Sequence, residues 1–365
     1  MIQPKLIVHG LDLSYFTGKL EAYLRAKGLT YELREMSTKS FRACAKATGV
    51  LQMPQIECPD GSWLTDTSLI IRHFEETQPS VRITPTDPLA RFVSHLIEDF
   101  GDESLWRPAL YYRWAFTDDA RLMSGRIARG MMRDVPLPFA VRRQMILRRQ
   151  QMVYLKQDGV TPKTRLAIEA LYFSALSAME TAFALNPFVL GARPTDADFG
   201  LFGSMFRHFF SDPTPAKIMR DVAPRTLSWV ARLWNIHPSD FATAKEITTI
   251  PEGCVPLLRL IARTHLTYMA ANARAVAANA KAVRFQDHGA DFETPVSPYR
   301  AWCLAELQRE FATLSSDEQK SVDACLGAPT ASKLLRQTPQ PQSYHVPQLP
   351  ISSSHIAKIR DRNWV

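Results

Sequence analysis

The sequence predicts a mixed α/β layer domain over its first 80 residues, followed by an all-α domain and a helical C-terminal extension. Three observations carry this reading. Short apolar strands alternate with amphipathic helices in the order βαβαββα up to residue 80. Pro79, Pro85 and Pro88 then mark a linker. Beyond them apolar residues recur at helical spacing almost to residue 245. The expected organisation is an α/β domain over 1–80, an all-helical domain over 88–245, a helical extension packed on the body over 246–336, and a tail over 337–365.

Residues 5–9 form a short apolar strand. Ser14 stands where it can cap a helix, and Phe16, Leu20, Tyr23 and Leu24 share one face before Gly28 stops it. Residues 30–36 alternate as a second strand, and 39–47 make a short helix closed by Gly49. A strand carrying Pro54, a Pro59-Asp60-Gly61 turn and a strand at Trp63 lead into a helix starting at Asp66-Thr67. Helices are expected over 89–100 and 105–116 (one long or broken), 141–154, 164–185, 199–210 and 225–234. Thr195 and Asp198 are read as a cap. In the extension, 251–285 reads as one long Ala-rich helix, with two more over 300–314 and 317–326. The Pro-, Gln- and Ser-rich segment after Gln337 reads as extended or disordered.

With 46% hydrophobic and 22% charged residues, the composition is that of a soluble globular chain. No apolar run approaches a membrane span, and the N-terminus lacks a signal-peptide apolar region. The five cysteines (Cys44, Cys58, Cys254, Cys303, Cys325) are scattered, with no metal or CxxC spacing, so no metal is expected and a reducing cytoplasm is the simplest setting. The net charge of +8 is unevenly spread, with eight arginines between Arg121 and Arg149. The plain reading is a solvated helical face, and an anionic partner is the sharper one. No aromatic interleaving supports nucleic-acid binding.

The densest signal lies in residues 49–76. Pro54 cannot donate to a ladder, so it belongs at a strand start or edge, leaving the Met53 backbone free for another partner. Asp66 and Thr67 offer side-chain oxygens and amides at a helix start, where anionic groups bind well. Together they make a cradle for a small extended peptide carrying carboxylates.

These residues bring the chain to a family. Over about residues 4–240 it resembles the cytosolic glutathione transferases, which join a thioredoxin-like domain to an all-helical one. Ser14-Tyr15-Phe16-Thr17-Gly18-Lys19-Leu20 is similar to the motif of their first helix, with Ser or Cys at its start. Met53-Pro54 resembles their cis-proline, and Leu64-Thr65-Asp66-Thr67-Ser68-Leu69-Ile70 their L-x-E-S-x-A-I stretch, with Asp-Thr in place of Glu-Ser. Arg193–Phe199 resembles their S-x-A-D cap. The extension after 245 lies outside the pattern.

The resemblance implies that the Met53 backbone binds the cysteinyl part of glutathione, that Asp66 and Thr67 hold its γ-glutamyl end, and that Ser14 faces the thiol, with Tyr15 and Thr17 as rivals. It also implies a cis bond before Pro54, a cytoplasmic homodimer, and glutathione as co-substrate. A hydroxyl donating to a thiolate contributes roughly 1.5–3 kcal/mol, or about one to two pKa units. Ser14 at a helix start would add the helix dipole to that bond. Trp106, Tyr111, Tyr112 and Trp114 are candidates for an apolar substrate pocket. The expected function is activation of the glutathione thiolate for attack on, or reduction of, an electrophilic apolar small molecule, as in detoxification. The alternatives are a non-catalytic glutathione- or ligand-binding protein and an interaction module on the same fold. Each residue has a plainer role: helix cap for Ser14, Asp66 and Thr67, edge proline for Pro54, and core for the aromatic group. Ser14 and Thr17 stand where a disulfide oxidoreductase needs cysteines, which argues against disulfide chemistry.

Overall fold

A computed structural model describes residues 5–340 and 344–352. The N-terminal domain contains β1 (Leu6–Gly10), α1 (Tyr15–Lys27), β2 (Tyr31–Glu35), α2 (Thr38–Thr48), β3 (Gln55–Glu57), β4 (Trp63–Thr65) and α3 (Thr67–Thr77). The sheet order is β2-β1-β3-β4. β1 pairs parallel to β2 and antiparallel to β3, and β3 pairs antiparallel to β4. This is the thioredoxin-like arrangement. Gly28 and Gly49 close α1 and α2 in the left-handed region that glycine favours (φ 74° and 78°).

The helical body follows: α4 (Pro88–Glu103), α5 (Trp106–Ala115), α6 (Thr117–Arg129), α7 (Phe139–Arg149), a π-helical stretch Gln150–Tyr154 with the single turn α8 (Leu155–Gln157), α9 (Arg165–Leu185), α10 (Asp196–Ser204), a second π-helical stretch Met205–Phe210, α11 (Pro213–Val222) and α12 (Pro224–Trp234). α4 and α10 cross with their backbones nearly touching. A Cβ on Gly101 would lie 2.5 Å from the Gly200 carbonyl carbon, and one on Gly200 2.6 Å from Glu98 Cα. Asp198 caps α10 by accepting from the Thr195 amide, and it also binds the Val189 amide and Trp229 Nε1 (all 3.0 Å).

The extension corrects one expectation. Residues 251–285 are not one helix. They give α13 (Val255–Arg263), α14 (His265–Ala277) and β5 (Ala282–Asp287), and β5 pairs antiparallel with β6 (Ala290–Pro295). The helical pattern ends because Asn279 turns into the left-handed region (φ 52°). Val283, Phe285 and Asp287 then point inward in alternation. His288 and Gly289, both at positive φ (44° and 77°), make the two-residue hairpin turn. α15 (Pro298–Thr313), α16 (Ser316–Leu326) and α17 (Pro329–Leu335) complete the extension. α13, α15 and α16 pack on α4, and α13 also packs on α9. In the tail, Tyr344 packs against Tyr299 and Trp302, and Ile351 pairs with Trp63 through two backbone bonds (3.0 and 2.8 Å). Residues 353–365 lie outside the described residues.

Candidate functional site

Strand register assembles the site. His9 is opposite Gln55, and Gln55 is opposite Thr65. The end of β1, the start of β3 and the end of β4 therefore meet at one edge of the sheet. That edge carries the β1–α1 loop with Ser14, the Met53-Pro54 approach to β3, and Asp66-Thr67 at the start of α3.

Ser14 is half-buried at the start of α1, and its hydroxyl does not cap the helix. Its two rivals are committed elsewhere. Tyr15 is buried and donates to the Gly101 carbonyl of α4, and burial pushes its pKa well up. Thr17 is fully buried and its hydroxyl accepts from the Leu11 amide (3.4 Å). The loop is held from the helical body. The buried Arg113 donates to the Leu13 carbonyl (2.9 Å) and pairs with Asp212 (2.8 Å), and Arg126 pairs with Asp12 (2.7 Å). Arg113 was missed in the sequence, where nothing local links it to a loop 100 residues away.

The Met53–Pro54 bond is cis. The Met53 side chain packs in a small cluster with Leu11 and Leu13, beside Ser14. Neither its amide nor its carbonyl bonds another described residue. Asp66 is buried at positive φ (67°), and its carboxylate accepts from the Ser68 and Leu69 amides (3.1 and 3.4 Å). Burial raises its pKa, opposed by the nearby Tyr299 hydroxyl of α15. Thr67 is buried beside it. Tyr299 and Tyr344 thus lie over the carboxylate end of the cradle.

Beneath the cradle lies a charge cluster that sequence reading missed. Lys19 is fully buried and donates to Ser68 Oγ (3.0 Å), Glu98 Oε1 (2.6 Å) and Asp102. Burial opposes its charge, but Asp102 and Glu98 win and hold it protonated above the ordinary lysine range. Burial lifts the Asp102 carboxyl well up. His95, Glu98 and Asp196 bring potential metal-ligand atoms within 4.8 Å of one another. Their atoms are already engaged: Glu98 by Lys19, Asp196 by Thr84 (2.8 Å) and His95 by Glu310 (2.8 Å).

The aromatic group does not converge on one pocket. Tyr111, Tyr112 and Trp114 are buried, Tyr112 stacked with Phe116 and edge-on to Tyr172, Trp114 in a separate cluster with Leu110 and Met123. Trp106 alone is half-exposed. It stacks on Phe16 (5.9 Å), two residues after Ser14, and borders a cavity. Of the arginine run, Arg133 donates to the Met36 and Glu35 carbonyls and Arg142 to Met132, so part of it serves structure.

Residues 8–82 match the family model described as glutathione S-transferase, N-terminal domain. The N-terminal domain belongs to that family. Among solved structures, the chain is similar to a β-etherase from Sphingobium sp. strain SYK-6 (17% identity, 66% of this chain and 99% of that one, TM-score 0.44). It is also similar to a glutathione S-transferase from Rhodospirillum rubrum F11 (16%, 68% and 98%, TM-score 0.42) and to glutathione transferase E6 from Drosophila melanogaster (19%, 63% and 87%, TM-score 0.39). No curated protein sequence matches. The glutathione S-transferase N-terminal domain is therefore assigned on residues 8–82 alone.

Proposed function

We propose that this transferase-like chain binds glutathione across the edge formed by Ser14, Met53-Pro54 and Asp66-Thr67 and activates its thiol for attack on an electrophilic small molecule. The observation that carries the reading is the set of groups left uncommitted there. The Ser14 hydroxyl does not serve its own helix, and the Met53 amide and carbonyl have no partner among the described residues. The first amides of α1 add a donor-rich helix start beside Ser14. In this reading the Met53 backbone pairs with the cysteinyl unit, Asp66 takes the α-ammonium group, and Ser14 donates to the sulfur. The electrophile enters on the Trp106 side. The test is the thiolate absorbance of bound glutathione against pH. Ser14→Ala should raise the bound thiol's pKa by about one to two units, with glutathione affinity little changed. An unshifted titration in that variant would remove Ser14 from the role.

A second reading is favoured by the cover over Asp66: a non-catalytic glutathione- or ligand-binding protein, or an interaction module, in which Tyr299 and Tyr344 keep the cradle closed. Retention on immobilised glutathione without turnover of an aryl halide would select the binding protein. Failure of retention would select the module.

A further inference from the structure

A cavity of ≈ 250 Å³ lies at the seam between the helical body and the extension. None of Ser14, Met53, Asp66 and Thr67 lines it. Its border includes Trp106 and Arg107 at the start of α5, Asp158 from the turn before α9, Tyr268 of α14, Thr294 of β6 and Arg300 of α15. The extension therefore builds about half of it.

Two carboxylates, Glu103 and Asp158, and two guanidiniums, Arg107 and Arg300, border this cavity, and the two arginines are partnered differently. Arg107 is 7% exposed. Its Nε donates to the Asp158 main-chain carbonyl (2.9 Å), and its guanidinium lies over Phe292, Phe285 and Tyr268 (4.8, 5.0 and 5.4 Å to the ring centres). It forms no ion pair, and its two terminal nitrogens find no acceptor among the described residues. Burial lowers its pKa, and the carboxylates of Asp158 and Asp287 oppose that only at longer range. The ring faces compensate only part of the desolvation of the guanidinium. Arg300 is satisfied by contrast, bonded to Glu103 (2.7 Å) and to the Tyr268 hydroxyl (2.8 Å). Thr294 is 5% exposed, and its hydroxyl has no partner among the described residues. One Asp158 carboxylate oxygen is likewise unpartnered.

We propose that this cavity binds a small planar carboxylate, an aromatic acid, with its carboxylate on the Arg107 guanidinium and the Thr294 hydroxyl and its ring against Trp106 and Tyr268. A guanidinium fork matches a carboxylate bidentately, and a hydroxyl completes the set without adding charge. The indole and phenol walls select a flat, apolar body. Because Trp106 stacks on Phe16 of α1, a ligand here lies next to the start of the first helix, yet its binding requires nothing of glutathione.

The experiment titrates the full chain with sodium benzoate and, as the neutral isostere, benzamide, followed by calorimetry and thermal shift. Benzoate should bind and raise the melting temperature, and benzamide should bind at least about tenfold more weakly, the scale of one charged hydrogen bond. Arg107→Met should lose benzoate binding. Thr294→Val, nearly isosteric, should weaken it several-fold with an unchanged melting temperature in the absence of ligand. Asp158→Asn removes a nearby like charge and should tighten benzoate. If Arg107→Met fails to fold, the benzoate–benzamide ratio and the direction of the Asp158→Asn change still decide. Equal binding of the two probes, no binding of benzoate, or weaker benzoate binding in Asp158→Asn would each overturn the proposal.

Discussion

Three hydroxyls stand within four residues at the start of α1, and their different fates show how local identity and tertiary position divide the work. Tyr15 and Thr17 are drawn into the interior because helix periodicity points them at α4 and at the β1–α1 loop, where each finds a backbone partner. Ser14 precedes the helix, so it escapes that periodicity and stays half-buried with an uncommitted oxygen. Asp66 is the opposite case, because it already accepts from two amides. An alanine there would lose a helix cap as well as a charge, so the informative change is Asp66→Asn. The amide oxygen preserves the cap while the charge is removed. In the glutathione reading, Asp66→Asn should weaken glutathione binding by roughly 1.5–3 kcal/mol in calorimetry, with little loss of stability. Unchanged affinity would free Asp66 for a purely structural role.

At the scale of elements, the crossing of α4 and α10 fixes where the two domains meet. Two glycines permit it, and the same crossing presents the Gly101 carbonyl to Tyr15 and places Glu98 and Asp102 against Lys19. A methyl group at Gly200 would meet the Glu98 backbone at 2.6 Å, where nothing flexible can yield. Gly200→Ala should therefore destabilise the protein by about 1–3 kcal/mol in denaturant unfolding, the usual cost of overpacking. A neutral result would mean that the helices separate without penalty. The hairpin of β5 and β6 shows a second element-scale choice. The alanines before it favour helix, but alternation of Val283, Phe285 and Phe292, together with a His-Gly turn, places two rings, Phe285 and Phe292, over Arg107 and sets Phe285 against Tyr268.

Across the whole molecule, the extension turns an open sheet edge into a covered one. α15 brings Tyr299 near Asp66, the tail sets Tyr344 edge-on to that tyrosine, and Ile351 bridges to Trp63 of β4. Two backbone hydrogen bonds hold that single-residue bridge, each contributing about 0.5–1.5 kcal/mol. Ending the chain after Gln337 should remove this competition and strengthen glutathione binding by up to about tenfold. Calorimetry on the full-length and shortened proteins measures it, and equal affinities would show that the tail does not guard the cradle. α15 and α16 also occupy one side of α4, so a pair of chains would have to meet on another surface.

The chain order of strands and helices in the first 80 residues, the linker and the helical character of the next 150 were legible from sequence alone. They rest on local rules: period-2 and period-3.6 patterning, glycine stops and proline breaks. The candidate cradle was legible as four residues but not as a place. Only strand register brings Ser14, Met53 and Asp66 to one edge. Long-range partners decided the rest. In the sequence Lys19 stands only as part of the first-helix motif, and α4 supplies its two carboxylates; Arg113 gained its meaning from a loop 100 residues earlier, and Tyr111, Tyr112 and Trp114 became core because α9 and α6 close over them. Local sequence sets what each segment can form, whereas burial and charge pairing depend on which segments meet, and no local pattern encodes that.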